Sequence, residues 1–319
     1  IVAIDFGRGF AMFIVLLTHA VNYWAWLLID TGGPGAPKAA SNSAEASIDP
    51  SMWLEFLIFP FRLLGSWASI FALLTGASTA YTMFYHIHHK GVKIKKRLLE
   101  SFTAGVILLV IHFIYTYFFT YPTFNIHGEF ARGLVPASVY AQKWIIPPWS
   151  FLFVAGPLSM IAFSDFFVVL VCSLLWRNGG HSEDNIVRNK IVFIILGAIF
   201  VLGAEFIKGA LIPTLYETFN SGNYVAAMVL TFLVGSKHCI FPFVGYAFFG
   251  SVFGWQLTEV PLNRWHMQRL GYSLAAIFLS IAIIDAILNG VPPLVGLYHP
   301  FFLYMLNLGL QVYIATLCV

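Results

Sequence analysis

Long apolar runs dominate the chain, and short polar segments separate them. An α-helix needs about 20 apolar residues to cross the hydrocarbon core of a bilayer. Runs of about this length predict membrane-spanning helices at residues 7–29, 65–85, 100–120, 150–176, 191–212, 239–257, 270–289 and 300–319. A membrane β-barrel would instead show strands of about ten residues with alternating polarity. The pattern therefore predicts an all-α polytopic transmembrane helix bundle of about eight to ten membrane helices, counting partial or re-entrant segments.

One further apolar run, residues 223–235, is short for a crossing and is typical of a re-entrant or interfacial helix. If it does not cross, 239–257 runs from the outer side to the cytoplasm. The arginines of residues 263–269 are then cytoplasmic, as the positive-inside tendency favours. We prefer this topology. The alternative, in which 223–235 crosses and those arginines lie outside, stays open.

Composition agrees with a membrane location. Of the 319 residues, 59% are hydrophobic and 10% are charged, whereas a soluble domain has about 25% charged residues. The small net charge of +3 gives no indication of nucleic-acid binding, and we expect none. Residues 1–319 read as a single transmembrane domain. The chain begins without a methionine and ends inside an apolar run, so both ends are compatible with a longer native protein.

Two loops orient the predicted bundle. Residues 30–51 are rich in Gly, Pro, Ala and Ser, which predicts a flexible outer loop. Residues 86–97 form the most basic segment of the chain, and the positive-inside tendency places them in the cytoplasm. Since two crossings precede this loop, the N-terminus is predicted to be cytoplasmic too. We expect a multi-pass protein of the plasma (inner) membrane.

Three ionisable side chains share one side of the first predicted helix. At about 100° per residue, Arg8 and His19 lie within about 20° of each other, and Asp5 lies within about 60° of either. Charges inside a bilayer are costly and usually line a cavity or meet a partner. In a structural interpretation, Arg8 reaches the headgroups and His19 joins two helices. In a functional one, the cation grips a polar donor and the imidazole acts as a base.

Other polar residues within the apolar runs also have two interpretations. Asp165 lies near the middle of its run and needs a hydrogen-bond donor from another helix. His112 lies at about the depth of His19, where an intramembrane histidine often joins two helices. Glu205 and Lys208 are three residues apart, which favours an ion pair between them.

Three stretches resemble, in order, motifs of the transmembrane acyltransferase superfamily, which includes the acyltransferase-3 and heparan-α-glucosaminide N-acetyltransferase-like proteins. Arg8 and His19 bracket ten residues after D-x-x-R-G, similar to the R-x10-H pattern of the first helix. FALLTGAS (71–78) resembles the second-helix F-x-x-x-S-G signature, with Thr75 at the serine position. FPFVGYAFFGSVFG (241–254) resembles the P-W-x-G-x-x-x-x-G-x-x-x-G helix, with Phe243 at the tryptophan position.

The resemblance implies an enzyme that passes an acyl group from cytosolic acyl-CoA, with acetyl-CoA favoured, to an acceptor at the far face, often a sugar hydroxyl or amine. It implies that His19 is the catalytic base or a transient acyl carrier. It also implies that Arg8 contacts the CoA or the acyl carbonyl. Asp5 shares the helix face of Arg8, so we expect it to orient the guanidinium.

Further candidates lie in the loops and in a later helix. Lys93, Lys95 and Lys96 are candidates for attracting the CoA phosphates, although a topology anchor explains the same loop. The acceptor-side candidates are His127, Glu129, Arg132 and Asp165. We predict no metal. The predicted partners are the lipid bilayer, acyl-CoA and an unknown acceptor, with other membrane subunits or further copies of the chain as candidates.

Three competing functions remain open. The chain fits a non-catalytic acyltransferase-like subunit of a larger membrane complex, since a fold alone does not establish an activity. It also fits a haem-binding membrane protein in which His19 and His112 are axial ligands. A transporter would be expected to carry its site on interrupted helices at the midplane, and no inverted repeat is visible.

Overall fold

The computed structural model describes Gly9 and eight further stretches of the chain. These are residues 69–120, 123–124, 130–131, 133–176, 185–235, 238–258, 264–289 and 301–317. Apart from Gly9, the first predicted helix lies outside the described residues, as does the whole of the loop 30–51.

The described stretches are helical almost throughout. The α-helices are α1 (Ile70–His88), α2 (Ile94–Phe119), α3 (Leu134–Ala141), α4 (Pro157–Leu175), α5 (Ile186–Leu202), α6 (Ala204–Asn220), α7 (Tyr224–Val234), α8 (Ile240–Gln256), α9 (Arg264–Asn289) and α10 (Phe301–Leu317). Between α2 and α3, a two-residue strand β1 (Thr123–Phe124) pairs antiparallel with β2 (Phe130–Ala131). A turn of 3-10 helix covers Trp149–Leu152.

Several helices have the length and composition of membrane spans. Helices α2, α4 and α9 are long and apolar enough to cross a membrane, and the bent pair α5–α6 is a fourth if it counts as one span. Helices α7 and α10 are shorter apolar helices. Apart from the two-residue strand pair, the described part of the chain is therefore helical, with several helices able to cross a membrane.

Contacts between α1 and α8 fix their relative direction. Gly250 packs on the backbone of Leu73, and Gly254 packs on the backbone of Ala77. Residue numbers rise together in both helices, so α1 and α8 run parallel. The preferred topology predicts this direction, because 65–85 and 239–257 both run inward in it. The alternative with a crossing at 223–235 would make the two helices antiparallel.

The other long helices alternate in direction. Gly197 of α5 packs on Phe249, while Lys190 bonds to Gln256 at the end of α8, so α5 is antiparallel to α8. Helix α2 is antiparallel to α4, because Ser101 contacts Asp165 while the later His112 contacts the earlier Gly156. Helices α9 and α10 are also antiparallel, since Gly271 contacts Thr316 and Leu279 contacts Gly309. Apart from the parallel pair α1 and α8, these neighbouring helices therefore pack antiparallel.

The fifth apolar run differs from its prediction. The sequence predicts one span at 191–212, but the chain bends by 51° between α5 and α6. Gly203 lies at this bend, and sharp helix bends commonly occur at glycine. Helix α6 then pairs with α7 through a turn at Gly222, whose φ of 80° suits glycine. The short run 223–235 thus forms one arm of a helical hairpin.

The fourth run also begins differently. Helix α4 starts at Pro157 and not near residue 150, because proline is favoured in the first turn of a helix. The residues before it, 153–156, are not helical and are buried. Non-helical backbone at membrane depth is tolerated where protein surrounds it.

Helix α8 lies at the centre of the bundle, and every residue from Pro242 to Gln256 is buried. Tyr246 and Phe249 pack in a core cluster with residues of α1, α9 and α10. Phe248 and Trp255 pack in a second cluster with residues of α1, α4 and α5. One helix therefore connects both halves of the hydrophobic core.

Candidate functional site

The stretches 71–78 and 241–254 form one tightly packed helix pair. A Cβ atom added at Gly76 would collide with the carbonyl oxygen of Ala247, and one added at Gly250 would collide with that of Leu73. Ser251 donates hydrogen bonds to the carbonyl oxygens of Ala247 at 2.8 Å and of Gly76 at 3.3 Å. Small residues let helix backbones approach closely in a membrane. Two of the three family-like stretches are thus in direct backbone contact.

Asp165 joins three helices in the interior of the bundle. Thr79 of α1 and Ser101 of α2 each donate a hydrogen bond of 2.5 Å to its carboxylate in α4, one to each oxygen. Both hydroxyl donors are themselves buried. This arrangement provides the inter-helix donors that the sequence requires for Asp165, and it supports a structural role for this acceptor-side candidate.

His112 holds the non-helical segment that precedes α4. Its Nε2 lies 2.9 Å from the carbonyl oxygen of Val154, and its Nδ1 lies 3.4 Å from the hydroxyl of Thr116. A carbonyl only accepts, so Nε2 carries the proton and Nδ1 accepts from Thr116. The ring also packs against Gly156, where a Cβ would be too close. Because both nitrogens are engaged, an axial bond to haem iron would displace one of these contacts.

A polar cluster lies at the end of the bundle where α8 begins. Lys208 donates a hydrogen bond of 2.6 Å to the hydroxyl of Tyr304, and its ammonium lies 5.2 Å from the centre of the Tyr304 ring. The hydroxyl of Tyr246 donates to the carbonyl of Tyr304 at 2.6 Å. The thiol of Cys239 lies within electrostatic range of Lys208. This cluster ties α6, α8 and α10 together.

Two carboxylates approach the same cluster. Glu205 interacts electrostatically with both Lys208 and Asp285. The expected Glu205–Lys208 ion pair does not form: among the described residues, the only ion pairs join α2 cations to Glu100. Sequence reasoning treated these charges pairwise and missed Tyr304, which is recognisable only as a polar ring in an otherwise apolar run.

The opposite end of α8 carries a second polar contact. Lys190 at the start of α5 donates a hydrogen bond of 2.6 Å to Gln256 at the end of α8. The rings of Trp176 and Trp255 pack beside it with centroids 5.0 Å apart, and both side chains are buried. Sequence analysis missed this pair, because Lys190 reads as part of a polar loop and Gln256 as the end of a span.

The same end contains the basic segment 86–97. Lys93, Lys95 and Lys96 are exposed, while the Arg97 side chain is only 19% exposed and bonds to Glu100 at 2.7 Å. At the end of α1, burial lowers the pKa of His86 from its usual value. The cations Arg97 and Lys90 lower it further, and Glu100 opposes them.

The remaining predicted site residues fall outside the described part of the chain. These are Asp5, Arg8, His19, His127, Glu129 and Arg132. Of the predicted set, the structure therefore describes Asp165 and the three lysines, and it places them apart: Asp165 inside the bundle and the lysines on its surface. Among the described residues, no group of three or more His, Cys, Asp or Glu side chains is placed to hold a metal ion.

Comparisons with known proteins found no match to the chain. No family model, no curated protein and no solved structure matches it. The similarity to transmembrane acyltransferases thus depends on the three sequence stretches described above.

Proposed function

We propose that this protein is a multi-pass membrane acyltransferase that takes an acyl group from cytosolic acyl-CoA, with acetyl-CoA favoured. The acceptor is a hydroxyl or amine, often on a sugar, at the outer face. In this proposal His19 is the base or acyl carrier, Arg8 holds the donor and Asp5 orients Arg8. The chain crosses the plasma (inner) membrane about eight times from a cytoplasmic N-terminus.

One observation carries the proposal. The stretches FALLTGAS and FPFVGYAFFGSVFG are separated by more than 160 residues in the sequence, yet they pack backbone to backbone through Gly76, Gly250 and Gly254. A contact between them is expected if both are packing elements of one fold, which supports the family resemblance.

The polar groups at the two ends of α8 are also compatible with this function. Lys190 and Gln256 lie at one end, and Lys208 and Tyr304 at the other. A reaction whose two substrates arrive from opposite faces needs polar access at both ends of the bundle. By contrast, the engaged nitrogens of His112 give the haem hypothesis no support.

The test is acyl transfer by the protein purified in detergent. Release of the CoA thiol from acetyl-CoA is followed with and without candidate acceptors, together with CoA binding and an absorption spectrum. We expect His19→Ala to lower kcat by about 10²–10⁴-fold, as for loss of a general base, with little change in CoA affinity. We expect Arg8→Ala to weaken CoA binding and raise KM.

Matched controls are available in α9, where His266 and Arg269 are exposed. His266→Ala and Arg269→Ala remove the same two side-chain types and are expected to keep full activity. If the wild-type protein neither binds CoA nor releases thiol, the acyltransferase proposal fails and the non-catalytic subunit becomes the better hypothesis. A Soret band would instead identify a haem protein.

A further inference from the structure

Helix α2 has one narrow buried side, formed by Ser101, Gly105, His112 and Thr116. Most of its remaining surface is apolar and exposed. The large exposed side chains are Leu99, Phe102, Val106, Ile107, Val110, Ile111, Ile114, Tyr115, Phe118 and Phe119. In a helix long and apolar enough to cross a membrane, an exposed apolar surface of this extent faces lipid.

The lysines at the start of α2 continue this lipid-facing surface. At about 100° per residue, Lys96 has the same angular position as Ile114, which is eighteen residues later. Around the helix axis, Lys95 likewise lies within about 20° of Phe102 and of Val106. Lys95 and Lys96 therefore lie at the N-terminal end of the lipid-exposed stripe, and Lys96 lies about 140° around the axis from the buried Ser101. Lys93 directly precedes them as the N-cap residue of α2.

The positive charge of this segment is largely uncompensated. Within the described residues, the one acidic side chain that contacts these cations is Glu100, which bonds to Arg97 at 2.7 Å. Its distance to the Lys96 ammonium is 4.0 Å, with the two side chains 69% and 44% exposed, so this pair is weak. No acidic residue lies in the first turn of α2. Lys93, Lys95 and Lys96 thus present an exposed cationic surface at the foot of a lipid-facing stripe.

We propose that Lys93, Lys95 and Lys96 bind the headgroups of anionic phospholipids in the leaflet that borders this end of the bundle. Clusters of basic residues next to a membrane helix attract anionic lipids electrostatically. The long lysine stems lie along the apolar stripe while the ammonium groups reach the phosphate level. A soluble cofactor that enters the bundle would instead meet side chains on the buried side of α2. This site is independent of the proposed acyl transfer.

The test uses the whole protein in detergent and counts bound lipid by native mass spectrometry. The protein is titrated with equimolar phosphatidylglycerol and phosphatidylcholine in mixed micelles. We expect the wild type to retain phosphatidylglycerol preferentially, and the preference to fall as salt is raised. The triple variant K93Q/K95Q/K96Q is expected to lose about tenfold or more in apparent affinity for phosphatidylglycerol.

Two variants control for the nature and position of the charge. K93R/K95R/K96R keeps the charge and is expected to keep the preference. Lys143→Gln removes an exposed lysine from the loop after α3 and is expected to leave the preference unchanged. Unchanged lipid preference in the glutamine variant would overturn the proposal, as would equal loss in the arginine or Lys143 variant.

A competition experiment separates lipid from cofactor. Free CoA is added to the protein loaded with phosphatidylglycerol, and CoA binding by the glutamine variant is measured separately. We expect the lipid to stay bound and CoA binding to be unaffected by the variant. Displacement of the lipid by stoichiometric CoA, with loss of CoA binding in the variant, would assign the lysines to the cofactor and overturn the lipid site.

Discussion

Helices α8 and α2 are both apolar, but they occupy opposite positions in the molecule. In α8 all residues from Pro242 to Gln256 are buried, whereas in α2 only four of 26 residues are. Lipid tails are as apolar as leucine, so hydrophobicity does not draw one helix to the centre in preference to another. Residue size makes the difference. The glycines of α8 allow close backbone contact, and the large side chains of α2 do not.

The two helices also differ in the residues that hold them. Helix α8 makes extensive contacts with α1 and α5 through glycine, aromatic and aliphatic side chains. Helix α2 meets α4 through the hydrogen bond of Ser101 to Asp165 and through the rings of Phe102 and Phe166, and His112 bonds to Val154 in the segment before α4. Backbone contacts at glycines thus distinguish the centre, and a buried hydrogen bond to a carboxylate distinguishes the attachment of α2.

The largest expected effect comes from adding one methyl group at the α1–α8 contact. In Gly250→Ala the new Cβ would overlap the carbonyl oxygen of Leu73, a backbone atom that cannot rotate away. The helices must separate, and we expect a loss of about 3 kcal/mol in unfolding free energy. Thermal unfolding of the purified variant in detergent measures this loss as a lower Tm.

Gly209 in α6 is the matched control. Nothing lies within 4 Å of a Cβ added there. Gly209→Ala should therefore be neutral or stabilise the protein by up to about 1 kcal/mol, because alanine has the higher helix propensity. Equal stability of the Gly250 and Gly209 variants would contradict the close packing of α1 on α8.

A smaller effect is expected at the polar attachment of α2. Asp165→Ala leaves the buried hydroxyls of Thr79 and Ser101 without their acceptor. Such a loss costs about 2 kcal/mol, and Asp165→Asn should cost less because its amide oxygen still accepts one bond. Unfolding of each variant, followed by circular dichroism under identical detergent conditions, provides the comparison.

Asp285 serves as the control for that experiment, because its hydrogen bond is an exposed one to Asn289 within α9. We expect Asp285→Ala to change stability by no more than about 0.5 kcal/mol. If Asp165→Ala changed the free energy of unfolding as little as Asp285→Ala, the carboxylate would not be what attaches α2. A role for Asp165 at the acceptor side would then be the better explanation of its position.

Much of the helical architecture is predictable from the sequence, because helix position depends on local apolar runs. The short helix at 223–235 and the run that becomes α8 are predicted within a residue or two. The bend at Gly203 is not, since a glycine within an apolar run is compatible with a straight helix as well as with a bent one. Length and hydropathy are local properties, whereas a bend depends on neighbouring helices.

The side-chain contacts were less predictable for the same reason. The sequence indicates that Asp165 needs a donor, but it does not identify Thr79 and Ser101, which are 86 and 64 residues away. It pairs Lys208 with Glu205 by spacing alone, yet the hydrogen bond goes to Tyr304, 96 residues away. Local spacing limits which side chains share a helix face, and tertiary packing decides which of them meet.

The smallest expected effect is a pH dependence where the start of α2 meets the end of α1. Burial lowers the pKa of His86, and Arg97 of α2 adds to this shift together with Lys90. The unfolded chain, with a histidine pKa near 6.5, therefore binds more protons than the folded one in the interval just below that value. The free energy of unfolding should therefore rise with pH across this interval. The loss of stability caused by protonating His86 is complete once the pH lies below the pKa of His86 in the folded protein.

Melting temperatures of the wild type and of His86→Gln, measured between about pH 5 and pH 7.5, test this dependence. We expect the glutamine variant to show a shallower rise, because it removes the group that gains a proton on unfolding. Lys90→Gln removes one of the repelling cations without touching the Arg97–Glu100 bond and should also reduce the slope slightly. An unchanged slope in His86→Gln would mean that the basic start of α2 does not act on the end of α1. The two helices would then be coupled through their apolar contacts.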